Sequence, residues 1–316
     1  MQHSRKAGDG GPSSASGARI SSSGAAAASR ETSVPVDCIV VEEQKRMPVE
    51  RQLVAEEPLT ILIAEQPVAT LMRTPGDETD LALGFLLTEG IVRSVNDVGT
   101  VSFCAQGTLG ARNQVLVNLA SGTTVARLPQ HRRVFSSCSV CGAEMIEEVA
   151  RGITPFSLPP ARLSPDDIYA VAEAMHRGQD LFRRTGGAHA AALARLPLGP
   201  GSEVLVREDM GRHNALDKVV GMAARRGILA PGLSAASSRA SGLLLILSGR
   251  LSYEMVAKAA RAGIGDVAAI SAPSALAVGL GRSLNMFLAG FVRDRTMTVY
   301  SGADALQAAD VGASGG

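Results

Sequence analysis

Tryptophan is absent from this 316-residue chain, and three tyrosines and seven phenylalanines are its only aromatic side chains. So few rings leave no stacking platform for nucleic-acid bases. An excess of one charge is missing too: 31 Lys and Arg stand against 30 Asp and Glu, a net charge of +1. That excludes a nucleic-acid or membrane-surface binder acting through bulk charge. Long apolar runs are lacking, and the run Leu243–Leu247 falls far short of the roughly 20 residues that cross a bilayer. Cysteine is scarce. Four in a chain this long make no disulfide framework, and a reducing, cytoplasmic compartment is expected.

What is present is enough apolar material, 46% of residues, to bury one large core or two smaller ones. Residues 1–33, rich in Ser, Ala and Gly, lack the apolar centre of a signal peptide and read as a disordered tail. Residues 34–135 read as a β-rich domain with one helix. Val34, Val36, Ile39 and Val41 alternate as in a strand, and Leu59–Ala64 and Pro67–Met72 form two strands joined at Glu65-Gln66. Further strands are expected at Val101–Phe103, Gln114–Leu119 and Thr123–Leu128. A helix capped by Asp77 or Thr79 carries Leu81, Phe85 and Leu86 on one side and ends near Gly90. Arg73, just before it, is either an anion ligand or a surface arginine. Residues 136–160 hold a cysteine loop and a proline-rich linker.

Residues 161–303 read as an α/β domain, followed by a tail, 304–316. Ser164-Pro165-Asp166-Asp167 starts a core helix with Ile168, Val171, Ala172, Met175 and Phe182 on one face; His176 lies partly exposed. After this the strands Val204–Val206, Leu243–Leu247, Val267–Ile270 and Met286–Gly290 alternate with helices Ala215–Arg226, Ser252–Ala262 and one running to about Leu284. A final strand is Met297–Tyr300. This alternation implies a mainly parallel sheet with right-handed crossovers, so the loops at the strand ends share one edge.

That edge gathers the Arg207–Asn214 cluster with Arg212 and His213, the turn Ser248-Gly249-Arg250, the turn Ser271–Ser274, and the segment Phe291-Val292-Arg293-Asp294-Arg295-Thr296. Serine hydroxyls, helix N-termini and arginines there suit a phosphorylated or pyrophosphate-bearing ligand. His189, after Gly186-Gly187 and before Ala190-Ala191-Ala192, reads as a cleft-lining or core imidazole.

The other chemistry lies in Ser136-Ser137-Cys138-Ser139-Val140-Cys141-Gly142. A Cys-x-x-Cys pair binds metal, cycles through a disulfide or carries sulfur. Zinc normally takes four ligands, often from two such pairs, and no second pair exists, so no resident metal is expected. Cys38 and Cys104 are isolated and read as buried structural thiols. The helical-looking run Ala143–Ala150 would favour a thiolate at its start. The pair does not sit in a thioredoxin-like strand–helix unit, and no upstream His-x-Glu makes it a deaminase zinc site. Sulfur carriage is left, with a dithiol redox sensor and a cofactor-holding binding module as the other readings.

Several motifs together resemble the FdhD family of sulfur carriers required for formate dehydrogenase activity. They are Met72-Arg73-Thr74-Pro75-Gly76-Asp77, Leu83–Ile91, Ser137–Gly142, Gly187–Ala191, Glu208–Lys218, Ser248-Gly249-Arg250, Ser252–Val256, and Gly290-Phe291 followed by Val299-Tyr300. The resemblance runs from about residue 36 to 302. It implies a cytoplasmic sulfurtransferase, with a cytidine-deaminase-like C-terminal domain, acting as a homodimer. It also implies sulfur taken from a cysteine desulfurase onto Cys138 as a persulfide, with Cys141 as second thiol. Delivery is to the molybdenum cofactor in its bis(molybdopterin guanine dinucleotide) form, which serves formate dehydrogenase. The family's cofactor segment falls on Phe291–Thr296. Ser139 stands where the family usually has glycine, and Met210 where it has valine. The alternative is a molybdenum-cofactor chaperone that moves no sulfur.

Overall fold

The computed structural model describes residues 31–103, 113–123, 132–134 (backbone only), 149–157, 162–229 and 242–307. They form three sheets. A two-stranded ribbon pairs β1 (Ser33–Glu42) with β2 (Lys45–Val54). A five-stranded sheet of order β5-β6-β3-β4-β7 contains β3 (Glu57–Ile63), β4 (Gln66–Arg73), β5 (Val98–Phe103), β6 (Gln114–Leu119) and β7 (Arg132–Val134). A six-stranded sheet runs β13-β12-β11-β10-β8-β9. Its strands are β8 (His189–Arg195), β9 (Val204–Asp209), β10 (Leu243–Leu247), β11 (Asp266–Ala269), β12 (Phe287–Arg293) and β13 (Thr296–Ser301).

The α/β class is as expected, but the larger sheet is mixed. Only β10, β11 and β12 run parallel, joined by α5 (Tyr253–Arg261) and α6 (Ala275–Ser283). The pairs β8–β9, β8–β10 and β12–β13 are antiparallel. The physical reason is chain length: a parallel return needs a crossover of a dozen or so residues, and β12 reaches β13 through a two-residue turn. The strand β8, which lies between β9 and β10, was not foreseen. Its run of alanines has little β-propensity and gains its place from burial between neighbours. The strand β2 was also missed.

The six-stranded sheet is covered on both faces, as its near-continuous apolar strands require. On one face α2 (Pro165–Arg177) meets Leu244, Ile246, Ala268 and Phe287. On the other, α4 (Arg212–Arg225), α5 and α6 meet Leu243, Leu245, Val267 and Leu288. Alternate strand residues thus serve opposite cores. The second core continues through α1 (Glu78–Thr88) into Leu59, Ile61, Val115 and Val117 of the five-stranded sheet.

Helix α1 is buried all round, from Asp80 to Thr88, not on one side as expected. It is enclosed because it lies against α4 with no space between the backbones. A Cβ on Gly84 would lie 1.7 Å from the Asp217 carbonyl oxygen, and one on Gly221 would lie 1.9 Å from that of Asp80. Beside this crossing Lys258 Nζ contacts Asp217 Oδ2 and Glu89 Oε1, both at 2.9 Å, and lies 5.3 Å from the centre of the Phe85 ring. Burial penalises the ammonium, but Asp217 and Glu89 more than offset it and hold the lysine above its ordinary pKa.

Three further expectations are corrected. Arg73 is neither an anion ligand nor exposed. It is fully buried, with Nη2 3.0 Å from Glu78 Oε1 and Nη1 3.6 Å from Glu57 Oε2. Phe182 does not belong to the long helix, which stops before Gly178. It sits on the short α3 (Asp180–Thr185) and is exposed. Cys38 is a free thiol, half-exposed on the β1 ribbon instead of buried, because that ribbon joins neither larger sheet. Cys104 and most of the expected strand Thr123–Leu128 lie outside the described residues.

Candidate functional site

The topology brings the anion-edge residues to one rim. His189 opens β8 and pairs with Asp209 at the end of β9, while Leu247 ends β10 opposite Ala191. The ends of β9, β10, β11 and β12 and the start of β8 therefore lie on one side of the sheet. The loops there are stitched together. Leu251 N donates to Ala272 O at 3.1 Å, Ser274 N to Leu251 O at 3.0 Å, and Phe291 N to Ser271 O at 3.3 Å.

Asp209 organises the left half of this rim. Its fully buried carboxylate lies 2.8 Å from Lys218 Nζ and accepts from Gly211 N, Asn214 Nδ2 and Thr74 N at 2.9, 3.0 and 3.1 Å. Met210 N donates in turn to Thr74 Oγ1 at 3.0 Å. These bonds fasten the loop after β4 to the start of α4, and so fix where Arg212 and His213 stand. Both residues lie in the helix's first turn, not in a loop ahead of a helix that starts at Ala215. Asp209 and Lys218 were not foreseen as organisers. The signal available was two opposite charges nine residues apart, one just before the helix and one inside it.

Arg212, His189 and Gly249 are neighbours. A Cβ at Gly249 would lie 3.3 Å from His189 Nδ1 and 3.6 Å from Arg212 Cβ, so the glycine keeps the space over both side chains open. Burial, then the charges of Arg212 and His213, lower the His189 pKa against the pull of Asp209, so this imidazole is neutral near neutral pH. Arg212 Nε and the hydroxyl of Ser252 are buried with no hydrogen-bond partner among the described residues. Buried donors in this condition favour an acceptor-rich ligand. His213 Nε2 lies 2.9 Å from Glu254 Oε2 in the first turn of α5, and that contact holds the Glu254 carboxyl below its usual range. Ser248 Oγ accepts from Ala190 N at 2.8 Å, so it anchors the start of β8. Arg250 is exposed.

The right half of the rim differs from the expected open loop. Phe291, Val292 and Arg293 belong to β12, and only Asp294-Arg295 forms the turn, both with positive φ as a tight hairpin requires. Phe291 is exposed at φ 55°, in a bulge between Gly290 and Arg293. A left-handed aromatic is strained, and such strain clusters at binding sites. Val292 is 1% exposed and packs in the α2-side core, so its side chain faces no ligand. Arg295 pairs with Asp166 and stands 5.5 Å from the Tyr169 ring centre, while Thr296 Oγ1 donates to Arg293 O at 2.9 Å. Arg293 is exposed.

Cys138 and Cys141 lie outside the described residues, as does the run Ala143–Ala150 except Val149 and Ala150, which are helical. Among the described residues no cluster of His, Cys, Asp or Glu could hold a metal ion. No helix there is long and apolar enough to cross a membrane.

The chain is 44% identical over 261 residues to a sulfur carrier protein FdhD of Anaeromyxobacter dehalogenans, covering 80% of this chain and 88% of that one. It is 41% identical over 266 residues to the Streptomyces coelicolor protein of the same name, covering 81% and 90%. A crystal structure of a protein described as a formate dehydrogenase accessory protein, from Desulfotalea psychrophila, superposes with a TM-score of 0.65 at 21% identity. It covers 88% of this chain and all of that one. The FdhD/NarQ family model matches residues 54–307, and the chain belongs to the FdhD/NarQ family.

Proposed function

We propose that this protein is a sulfur carrier for formate dehydrogenase maturation. It takes sulfur from a cysteine desulfurase onto Cys138 and delivers it to the molybdenum cofactor in its bis(molybdopterin guanine dinucleotide) form. The observation that carries the reading is the Cys138/Cys141 pair in a chain 44% identical to a protein named as a sulfur carrier. The chemistry balances with these two thiols. The Cys138 thiolate attacks the outer sulfur of the donor's persulfide, the donor's S–S bond breaks, and the donor's thiolate leaves. Cys141 then attacks Cys138, closing a disulfide and releasing the carried atom as sulfide. The pair supplies the two electrons, and a reductant of the thiol class resets it.

The rim supports binding of the cofactor as substrate. Arg212, His189, the Ser252 hydroxyl and the N-termini of α4 and α5 suit phosphate oxygens. Phe291 and Arg293 are exposed further along the same edge. The reading extends to a cytoplasmic homodimer that meets formate dehydrogenase directly. It is tested by Cys138→Ser in a strain whose formate dehydrogenase depends on this protein. The expected result is loss of formate dehydrogenase activity with the variant still folded. Undiminished activity would contradict the persulfide role.

A further inference from the structure

We propose that the outward face of the β1–β2 ribbon is an interface between two copies of this chain, packed face to face about a two-fold axis that crosses the Ile39–Pro48 pair. The inference rests on the homodimer of the reading above and names a surface that forms it.

The ribbon is fastened at its root. Arg184 of α3 donates to Thr32 Oγ1 and Ser33 Oγ at 2.9 and 3.3 Å, and Val54 lies against Gly187. Beyond the root its two ten-residue strands pair only with each other. A lone two-stranded ribbon is marginal in water, so a ribbon this long needs cover on a face. The face that lacks it is shown by Ile39 and Val41, at 62% and 61% the most exposed of the large apolar side chains in the described residues. Alternate residues share a face, so the pairs Asp37–Glu50, Ile39–Pro48 and Val41–Arg46 succeed one another along it. On the opposite face Cys38, Val40 and Val49 are already half-buried.

The charges on this face say what covers it. Asp37 and Glu50 stand directly opposite each other, like charges that repel across the ladder, and neither has an ion-pair partner among the described residues. Arg46 lies on the same face, as far beyond the Ile39–Pro48 pair as the two acids lie before it. A two-fold axis lying in the interface and crossing the strands at Ile39–Pro48 exchanges these outer pairs. It sets Arg46 of each copy over Glu50 of the other, with Asp37 alongside, and brings Ile39 against its own counterpart at the centre. The face is thus complementary to itself in charge as well as in apolar contact. Edge-to-edge pairing is the poorer solution, because Pro35 in β1 and Pro48 in β2 have no N–H to offer a further strand. The chain's own first 30 residues are a poor cover too, since Met1 and Ile20 are their only large apolar side chains.

The test is sedimentation equilibrium on the full chain as wild type, Arg46→Glu, Glu50→Arg, and an equilibrated one-to-one mixture of the two variants. The expected result is a wild-type dimer whose dissociation constant rises roughly tenfold or more in each variant alone, where like charges now meet twice across the axis. The mixture is expected to recover association close to that of wild type, because every contact in the mixed dimer again joins opposite charges. A merely structural role for either residue gives no such recovery. A wild-type dimer that neither variant weakens would overturn this face as the interface while leaving the homodimer standing, and weakened variants that do not recover on mixing would overturn the two-fold placement. A monomeric wild type would instead overturn the homodimer on which the proposal rests, and with it the proposal. Arg46 and Glu50 are both exposed, so both variants are expected to fold, and an unchanged far-ultraviolet circular dichroism spectrum verifies this.

Discussion

Lys258 is a single residue on which several elements depend. Its ammonium reaches Asp217 of α4 and both Thr88 and Glu89 at the end of α1, from α5. A buried pair adds little net stability compared with an apolar pair, but breaking one side leaves a charge with no partner. Lys258→Met is expected to lower unfolding free energy by about 3–5 kcal/mol, measured by urea denaturation near neutral pH. The folded lysine pKa lies above its ordinary value of 10.5, so this contribution is fully present below that value. It is lost as pH rises through the higher folded value. Wild type and variant should therefore converge in stability only under strongly alkaline conditions. None of this pairing was legible in the sequence. Lys258 and Asp217 lie 41 residues apart, and each falls on a helix whose spacing otherwise reads as an ordinary amphipathic pattern.

At the scale of elements, α1 and α4 are joined through their backbones. Gly84→Ala places a methyl inside van der Waals range of the Asp217 carbonyl, which cannot yield without moving α4. Loss of about 3 kcal/mol or more, or failure to accumulate soluble protein, is expected, as for severe overpacking. Gly279 of α6 supplies the contrast, because a Cβ there meets nothing within 4 Å. Gly279→Ala is expected to stabilise by roughly 0.5–1 kcal/mol through helix propensity alone. Thermal melts of the two variants test both; equal effects would mean that the α1–α4 approach is looser than described. Sequence patterning located α1, α2, α5 and α6 because their caps and apolar spacing are local signals. It missed β8, whose alanines carry no strand signal, and it started α4 late, because Arg212 and His213 look like loop residues until Asp209 is seen to tie them down. It took Phe291–Thr296 for a loop, since a bulged strand and a tight turn share the same polar and glycine-flanked composition.

For the whole molecule, the order of the sheet matters more than any one motif. Loops from four strand ends and the start of β8 share one rim only because β9, β10, β11 and β12 all point the same way. A mainly parallel sheet would gather the same loops; the mixed sheet does so because two antiparallel steps, β10 to β8 and β8 to β9, restore the direction. The rim's residues divide by role once their contacts are known. Arg212 and His189 stand together beside Gly249, while Val292 belongs to the core and Ser248 to the start of β8.

The central claim is that Cys138 carries sulfur, and peptide mass spectrometry tests it most directly. The protein is incubated with an active cysteine desulfurase and L-cysteine, then digested and compared with and without a reductant. A reducible gain of one sulfur atom on the Cys138 peptide is expected. No gain, with the same desulfurase shown to load another acceptor, would contradict the carrier role and favour a chaperone that holds the cofactor without transferring sulfur.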